Sequence, residues 1–258
     1  MAAFSGNRGN MPRECAFCPA PANSREHLWP DWLNEILPGS KRFTMRDENK
    51  EIIGDWVKPK LDWKAKVVCE RCNNEWMSEL ENVHAKPSLT DLILGKQDVP
   101  VDRTRANSIA LFAFKTAVVF NHLRRGGAPF FERSARHEFR NSLTIPFNVD
   151  MWLTGFAPSG SGFAQTVYHD GKIPPDKTLE MYVCTYAIQH LVIQIVGYKE
   201  LGIHQVVSKN QFQAIPFWPE IQDAFVWPPT EVLHTVSDFD SFSARWQTVD
   251  VVSHDKPS

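Results

Sequence analysis

The chain has 258 residues, 43% of them hydrophobic and 22% charged, with 28 Lys+Arg against 30 Asp+Glu and a net charge of −2. That length suits one or two domains, and the composition can build cores, which excludes a disordered tail. The near-neutral total excludes attraction to nucleic acid by the field of the whole molecule, so any such attraction must come from local clustering.

The first residues, MAAFSGNRGNMPREC, read as a polar lead-in without the apolar core of an export signal, and a cytoplasmic location is expected. Proline and glycine at Pro19, Pro21, Pro30, Pro38 and Gly39 predict short elements joined by turns. Asp31–Leu37 predicts a short helix stopped by Pro38 and Gly39. Residues 41–66 are charged and poor in strand signals, which suits a long loop or a ribbon around Glu51-Ile-Ile-Gly54. Asn73–Val83 predicts a helix with Trp76, Leu80 and Val83 on one face. Pro87 is expected to end it, with Ser88 capping a further short helix.

Ala106–Leu123 is a strongly apolar helix, and Pro129–Leu143 a second, more basic one. The first carries Asn107, Ser108, Lys115, Asn121 and His122, too many polar groups for a lipid-spanning segment, so no membrane association is expected. Beyond Pro146 the pattern is β: VDMWLTGFA, GFAQTVYHDG, and LEMYVCTYAIQHLVIQIVGYK as two strands or one bent strand. Trp218-Pro219 and Trp227-Pro228-Pro229 punctuate the tail. The expected architecture is α+β: an N-terminal domain over residues 1–97, then an α+β domain with an antiparallel sheet over 98–258. Charge is uneven, with a net +6 over residues 103–140, +3 over 41–66 and −5 over 219–258. Either a solvated helix face or a phosphate-contacting surface accounts for the basic stretches.

The five cysteines divide into Cys15-Ala-Phe-Cys18, Cys69-Glu-Arg-Cys72 and a lone Cys184. Without an export signal, paired C-x-x-C motifs read as a metal site before they read as disulfides. A two-residue spacer lets both sulfurs of a turn face one ion, so Cys15, Cys18, Cys69 and Cys72 form one tetrahedral Zn²⁺ site of structural type. Such a staple suits a loop-rich segment with a thin core. Cys184, inside an apolar run, reads as a small buried residue.

Glu26-His27-Leu28-Trp29-Pro30-Asp31-Trp32-Leu33 lies between the pairs, and Val68-Cys69, Cys72-Asn73, Trp76 and Leu80-Glu81 accompany the second. This ordered set, C-x-x-C … E-H-L-x-P-x-W-L … V-C-x-x-C-N-x-x-W … L-E, resembles the HNH endonucleases of the His-Me finger (ββα-metal) superfamily over residues 13–85. The resemblance implies a zinc-stapled, treble-clef-like ββα-metal finger, with His27 as general base at a strand end. It implies a catalytic Mg²⁺ or Mn²⁺ held by Glu26 and Asn73. Histidine suits the first task because its pKa lies near neutrality, and carboxylate and amide oxygens suit a hard divalent ion. Two departures stand out. Glu26 replaces the usual Asp or His, which lengthens the metal arm or turns the residue to orientation. Lys64 occupies the place where the family commonly has its middle Asn, and Asp62 is a possible substitute. Asn74 and His84 are further polar candidates on the same helix, and Trp29, Trp32 and Trp76 suit a small core better than base stacking.

The leading expectation is a metal-dependent endonuclease acting on DNA, with RNA as the alternative substrate. Residues 98–258 would recognise DNA, a homo-oligomeric partner or a regulatory protein. The competing expectation is a non-catalytic zinc module that binds nucleic acid or protein.

Overall fold

The structure, a computed structural model, describes residues 13–37, 39, 41–46, 52–60, 64–123, 128–157, 163–173, 177–199, 205–208, 214–219, 224–247 and 249–252. Strand β1 (Ser24–His27) is followed by helix α1 (Leu33–Ile36), strands β2 (Lys41–Arg46) and β3 (Ile52–Lys58), and β4 (Lys64–Val68). The charged stretch is thus a ribbon, β2 antiparallel to β3, after which β4 returns antiparallel to β1. The helix expected over 31–37 shrinks to α1, because Pro30 and Asp31 form the turn that starts it, their carbonyls accepting from Leu33 and Asn34.

Helix α2 (Glu70–Cys72) runs on through π-helical stretches at Asn73–Met77 and Leu80–Ala85 into α3 (Lys86–Ile93). Two expectations are corrected here. Pro87 does not end the helix and Ser88 caps nothing; Pro87 sits in the first turn of α3, directly after the second π-helical stretch. A widened turn gives its ring room where a regular α-turn would clash with the carbonyl four residues back. Val83 does not share the buried face either: it is 60% exposed, while Met77, Leu80, Ala85 and Leu89 are buried. The wider π-turn shifts the inward position from Val83 to Ala85.

Strand β5 (Val99–Val101) leads into α4 (Arg103–Asn121), whose N-cap Asp102 accepts from the Arg105 backbone N–H at 2.8 Å. Then come α5 (Arg133–Ser142), β6 (Val149–Phe156), β7 (Phe163–Ile173), β8 (Lys177–Ile188) and β9 (Leu191–Tyr198). The long apolar run is therefore two strands, turning at Gln189, which has a φ of 54°. The tail holds β10 (Gln205–Ser208), β11 (Ile215–Trp218), β12 (Phe225–Trp227), β13 (Val232–Leu233), α6 (Val236–Ser243) and β14 (Val249–Val252).

The main sheet runs β11-β6-β9-β8-β7, antiparallel throughout, and β13 joins β6 in parallel. The fold is mixed α+β with antiparallel sheets. From Ser108 to Asn121 helix α4 is buried on every side, which is why its sequence there is mostly apolar all round. Trp29 stacks edge-on against Phe120, Phe131 and Phe139 against Phe114, and Tyr182 of β8 donates to the Ala117 carbonyl at 2.8 Å. One continuous core runs from Phe17 and Trp29 to Ile193 and Trp227. Among the described residues no helix is long and apolar enough to cross a membrane.

Candidate metal centre and histidine strand

The first cysteine turn is closed by Cys15 N–H donating to the Ala20 carbonyl at 2.8 Å, and Ala16 N–H donates to Val67 of β4 at 2.8 Å. That second bond places the turn beside the end of β4, where Cys69 caps α2 and its sulfur accepts from the Cys72 backbone N–H at 3.4 Å. The four sulfurs of Cys15, Cys18, Cys69 and Cys72 consequently lie within 4.8 Å of one another. Cys18 is 3.5 Å from Cys69 and 3.7 Å from Cys72, sulfur to sulfur. Zn–S bonds of about 2.3 Å in a tetrahedron put sulfurs about 3.8 Å apart, so the cluster fits one zinc ion.

The surroundings fit it as well. Hydrogen bonding with Cys15, helped by nearby Trp76 and Arg140, holds the Cys72 thiol well below its ordinary range, while the same bond and burial push Cys15 up. The indole N–H of Trp76 and the Nε–H of Arg140 are buried without a hydrogen-bond partner, and both groups lie close enough to the Cys72 sulfur to favour its thiolate. Arg136, buried on α5, donates to the carbonyl of Ala16 inside the first turn and to Phe131 at 3.0 Å. Polar groups close around the ligands help a metal site hold its thiolates.

Strand β1 carries His27 away from this cluster. Along the ribbon β1–β4, Glu26, Ala65 and Val67 are buried, whereas Arg25, Lys64 and Lys66 are exposed and His27 is half-buried. Adjacent strand residues face opposite sides, so His27 lies on the outer face, directly across from Lys64. The expected family Asn is thus replaced by a cation beside His27. Asp62 lies outside the described residues.

Glu26 points inward and is 3% exposed. Its Oε1 accepts from Lys115 Nζ at 3.0 Å, and the same ammonium reaches Glu81 at 2.5 Å. Burial raises the Glu26 pKa, Lys115 opposes that, and Glu81 adds to it. Lys115 stays charged: burial acts against it, but the two carboxylates more than offset that penalty. Asn73, at the end of α2, donates its amide N–H to Ser24 Oγ at 2.8 Å, which ties the helix to the start of β1 and leaves the amide oxygen as the atom able to coordinate. Ser24 precedes His27 by three residues, roughly 10 Å of strand before the register shift shortens it.

Asn74 and His84 are exposed, and Trp29 and Trp32 are buried core residues. The sequence reading missed Lys115, Arg136 and Arg140, and assigned Glu81 no role. A single lysine inside an apolar helix was the available signal, since lysine is almost never fully buried unless paired. Comparison with family models, with curated proteins and with solved structures yields no match for this chain.

Proposed function

We propose that the chain is a metal-dependent nuclease of the HNH type, built on a structural zinc site. The observation that carries this reading is the joining of three parts: the four-cysteine cluster, the outward-facing His27 opposite Lys64, and Asn73 bonded to the same strand. An antiparallel β1–β4 pair with a helix starting at Glu70 directly after it supports the reading.

In this reading His27 takes a proton from a water, and the resulting hydroxide attacks the phosphorus of a backbone phosphate. The P–O bond to the 3′ oxygen breaks and that oxygen takes up a proton from solvent water, giving 5′-phosphate and 3′-hydroxyl ends. A bound Mg²⁺ or Mn²⁺ would supply positive charge to the phosphate and the leaving oxygen. Asn73 would hold that ion through its amide oxygen, with water and phosphate completing the shell. Glu26 fits poorly as a direct ligand, because a hydrated ion keeps several waters and this carboxylate is buried against Lys115. It serves instead from behind the strand. Arg25, Lys64 and Lys66 give the outer face the charge to meet a phosphate backbone.

The test is cleavage of plasmid DNA and of a matched RNA by wild type and His27→Ala with Mg²⁺ or Mn²⁺. The reading expects wild-type cleavage that falls by a factor of at least about 100 in the variant while binding is kept. Binding without cleavage by wild type under either ion would favour the second reading, a non-catalytic zinc module. The burial of Glu26 is the observation on that side.

A further inference from the structure

Lys115 lies in the middle of α4, 1% exposed, 89 residues along the chain from Glu26 and 34 from Glu81. Three separate elements therefore meet at one ammonium: β1, the π-helical stretch Leu80–Ala85, and α4. Local irregularities on two of them make the meeting possible. The β1–β4 register shifts between Ser24 and Glu26, and the turn that carries Glu81 is π-helical. Each device re-aims a side chain relative to a regular strand or helix.

Such a buried triad is a costly way to hold three elements together. Desolvating each ion costs several kcal/mol, and apolar side chains of similar volume often stabilise as well or better. What charged hydrogen bonds add over apolar contact is direction. With Oε1 of Glu26 bonded to an ammonium that is itself fixed by Glu81, the inward side chain of β1 has one allowed placement. The next residue, His27, then projects from the opposite face at a fixed height and angle.

Resting on the function proposed above, we infer that Lys115 is a positioning residue for His27, clamping β1 through Glu26 and Glu81. The clamp acts on the strand and touches no substrate.

The experiment uses the full zinc-loaded chain with Lys115→Met and Glu81→Gln, read by amide hydrogen exchange and by cleavage kinetics. In Lys115→Met the amides of Ser24–His27 exchange about tenfold faster or more, while those of the central strand β9 keep their rates. Its kcat falls about 100-fold with KM within about twofold, the pattern of a displaced catalytic group. Glu81→Gln, which keeps the volume and an acceptor, shows the same two effects at smaller amplitude and decides the matter if the methionine variant does not fold. Unchanged exchange in β1, equal acceleration across β9, or a loss confined to KM overturns the inference. Wild type that cleaves neither DNA nor RNA overturns the nuclease reading instead, and the exchange pattern in β1 still decides whether Lys115 is the clamp.

Discussion

The Trp76 indole stands edge-on to the Phe17 ring, with centroids 5.0 Å apart and planes at 83°. Phe17 sits between Cys15 and Cys18, and Trp76 lies four residues beyond Cys72, so this one contact joins the two cysteine turns. The same indole N–H is buried without a hydrogen-bond partner, near enough to Cys72 to favour its thiolate. Trp76→Phe keeps an aromatic ring at this position but loses the N–H and part of the ring that packs against Phe17 and Phe139. It is expected to leave the fold intact and to weaken zinc binding about 10- to 100-fold, as loss of an outer partner does. Competition with a chromophoric chelator measures this, and unchanged affinity would show that the indole serves packing alone.

Arg140→Ala tests the neighbouring donor, from α5. Because Arg140 belongs to an element some seventy residues beyond the second cysteine pair, its loss should also lower zinc affinity by about tenfold while leaving the N-terminal strands in place. Zinc competition paired with the exchange rates of β1 and β4 separates the two effects.

Zinc removal should reach past the cysteines. Phe17 and Trp76 both pack on Phe139, and the core is continuous into the main sheet. A chelator, or Cys72→Ser, is expected to lower the thermal midpoint and loosen residues 13–37 first, since zinc-binding energy is folding energy where a loop-rich segment depends on it. The check is metal content, with one zinc per chain expected, alongside calorimetry with and without chelator. A midpoint that ignores the chelator would contradict a structural role.

Asp150 and His122 set opposite pH dependences over one window. Burial pushes Asp150 up to about 7, with one carboxylate oxygen left without a hydrogen-bond partner. Its folded pKa lies above the unfolded value of about 3.9, so its contribution is present below pH 4 and is lost as pH rises through 7. Burial pushes His122 down to about 4, so its contribution is present above about pH 6.5 and is lost as pH falls through 4. In wild type the two partly cancel. Asp150→Asn removes the first, so the variant should gain a few kcal/mol over wild type between pH 4 and pH 8 and become more acid-sensitive. Urea unfolding at both pH values measures the difference, and a gap that does not change with pH would rule out this account of Asp150.

Gly197 and Gly39 separate crowding from backbone strain. A Cβ at Gly197 would meet Phe130 at 2.9 Å and Phe131 at 3.0 Å, both buried rings, so Gly197→Ala should destabilise by about 1–3 kcal/mol. Gly39 has a φ of +89° and open space around it, so Gly39→Ala should cost only the positive-φ strain, about 1 kcal/mol. Denaturant midpoints of the two variants test the order.

The candidate site was legible where chemistry depends on residue spacing. Two C-x-x-C motifs require their sulfurs to converge, and Glu26-His27 on a short strand must split between two faces. The main antiparallel sheet was legible for a similar reason, because β6, β8 and β9 are rich in apolar and β-branched residues and are bounded by turns. What could not be read was everything set by tertiary partners. Val83 looks inward on a 3.6-residue period and is turned out by a π-helical stretch that no local signal announces. Pro87 reads as a helix end by its missing N–H, yet the widened turn accommodates it. Lys115 reads as a polar interruption until Glu26 and Glu81, distant in the chain, are seen on either side of it.

The account depends on a divalent ion sitting at the outer face of β1, and anomalous diffraction from crystals soaked in Mn²⁺ tests that most directly. It predicts a peak about 2.2 Å from the Asn73 amide oxygen, with a water between the ion and the His27 imidazole, and Glu26 still bonded to Lys115. Saturating Mn²⁺ that leaves Asn73 and His27 bare, or that binds only at other carboxylates, would contradict it.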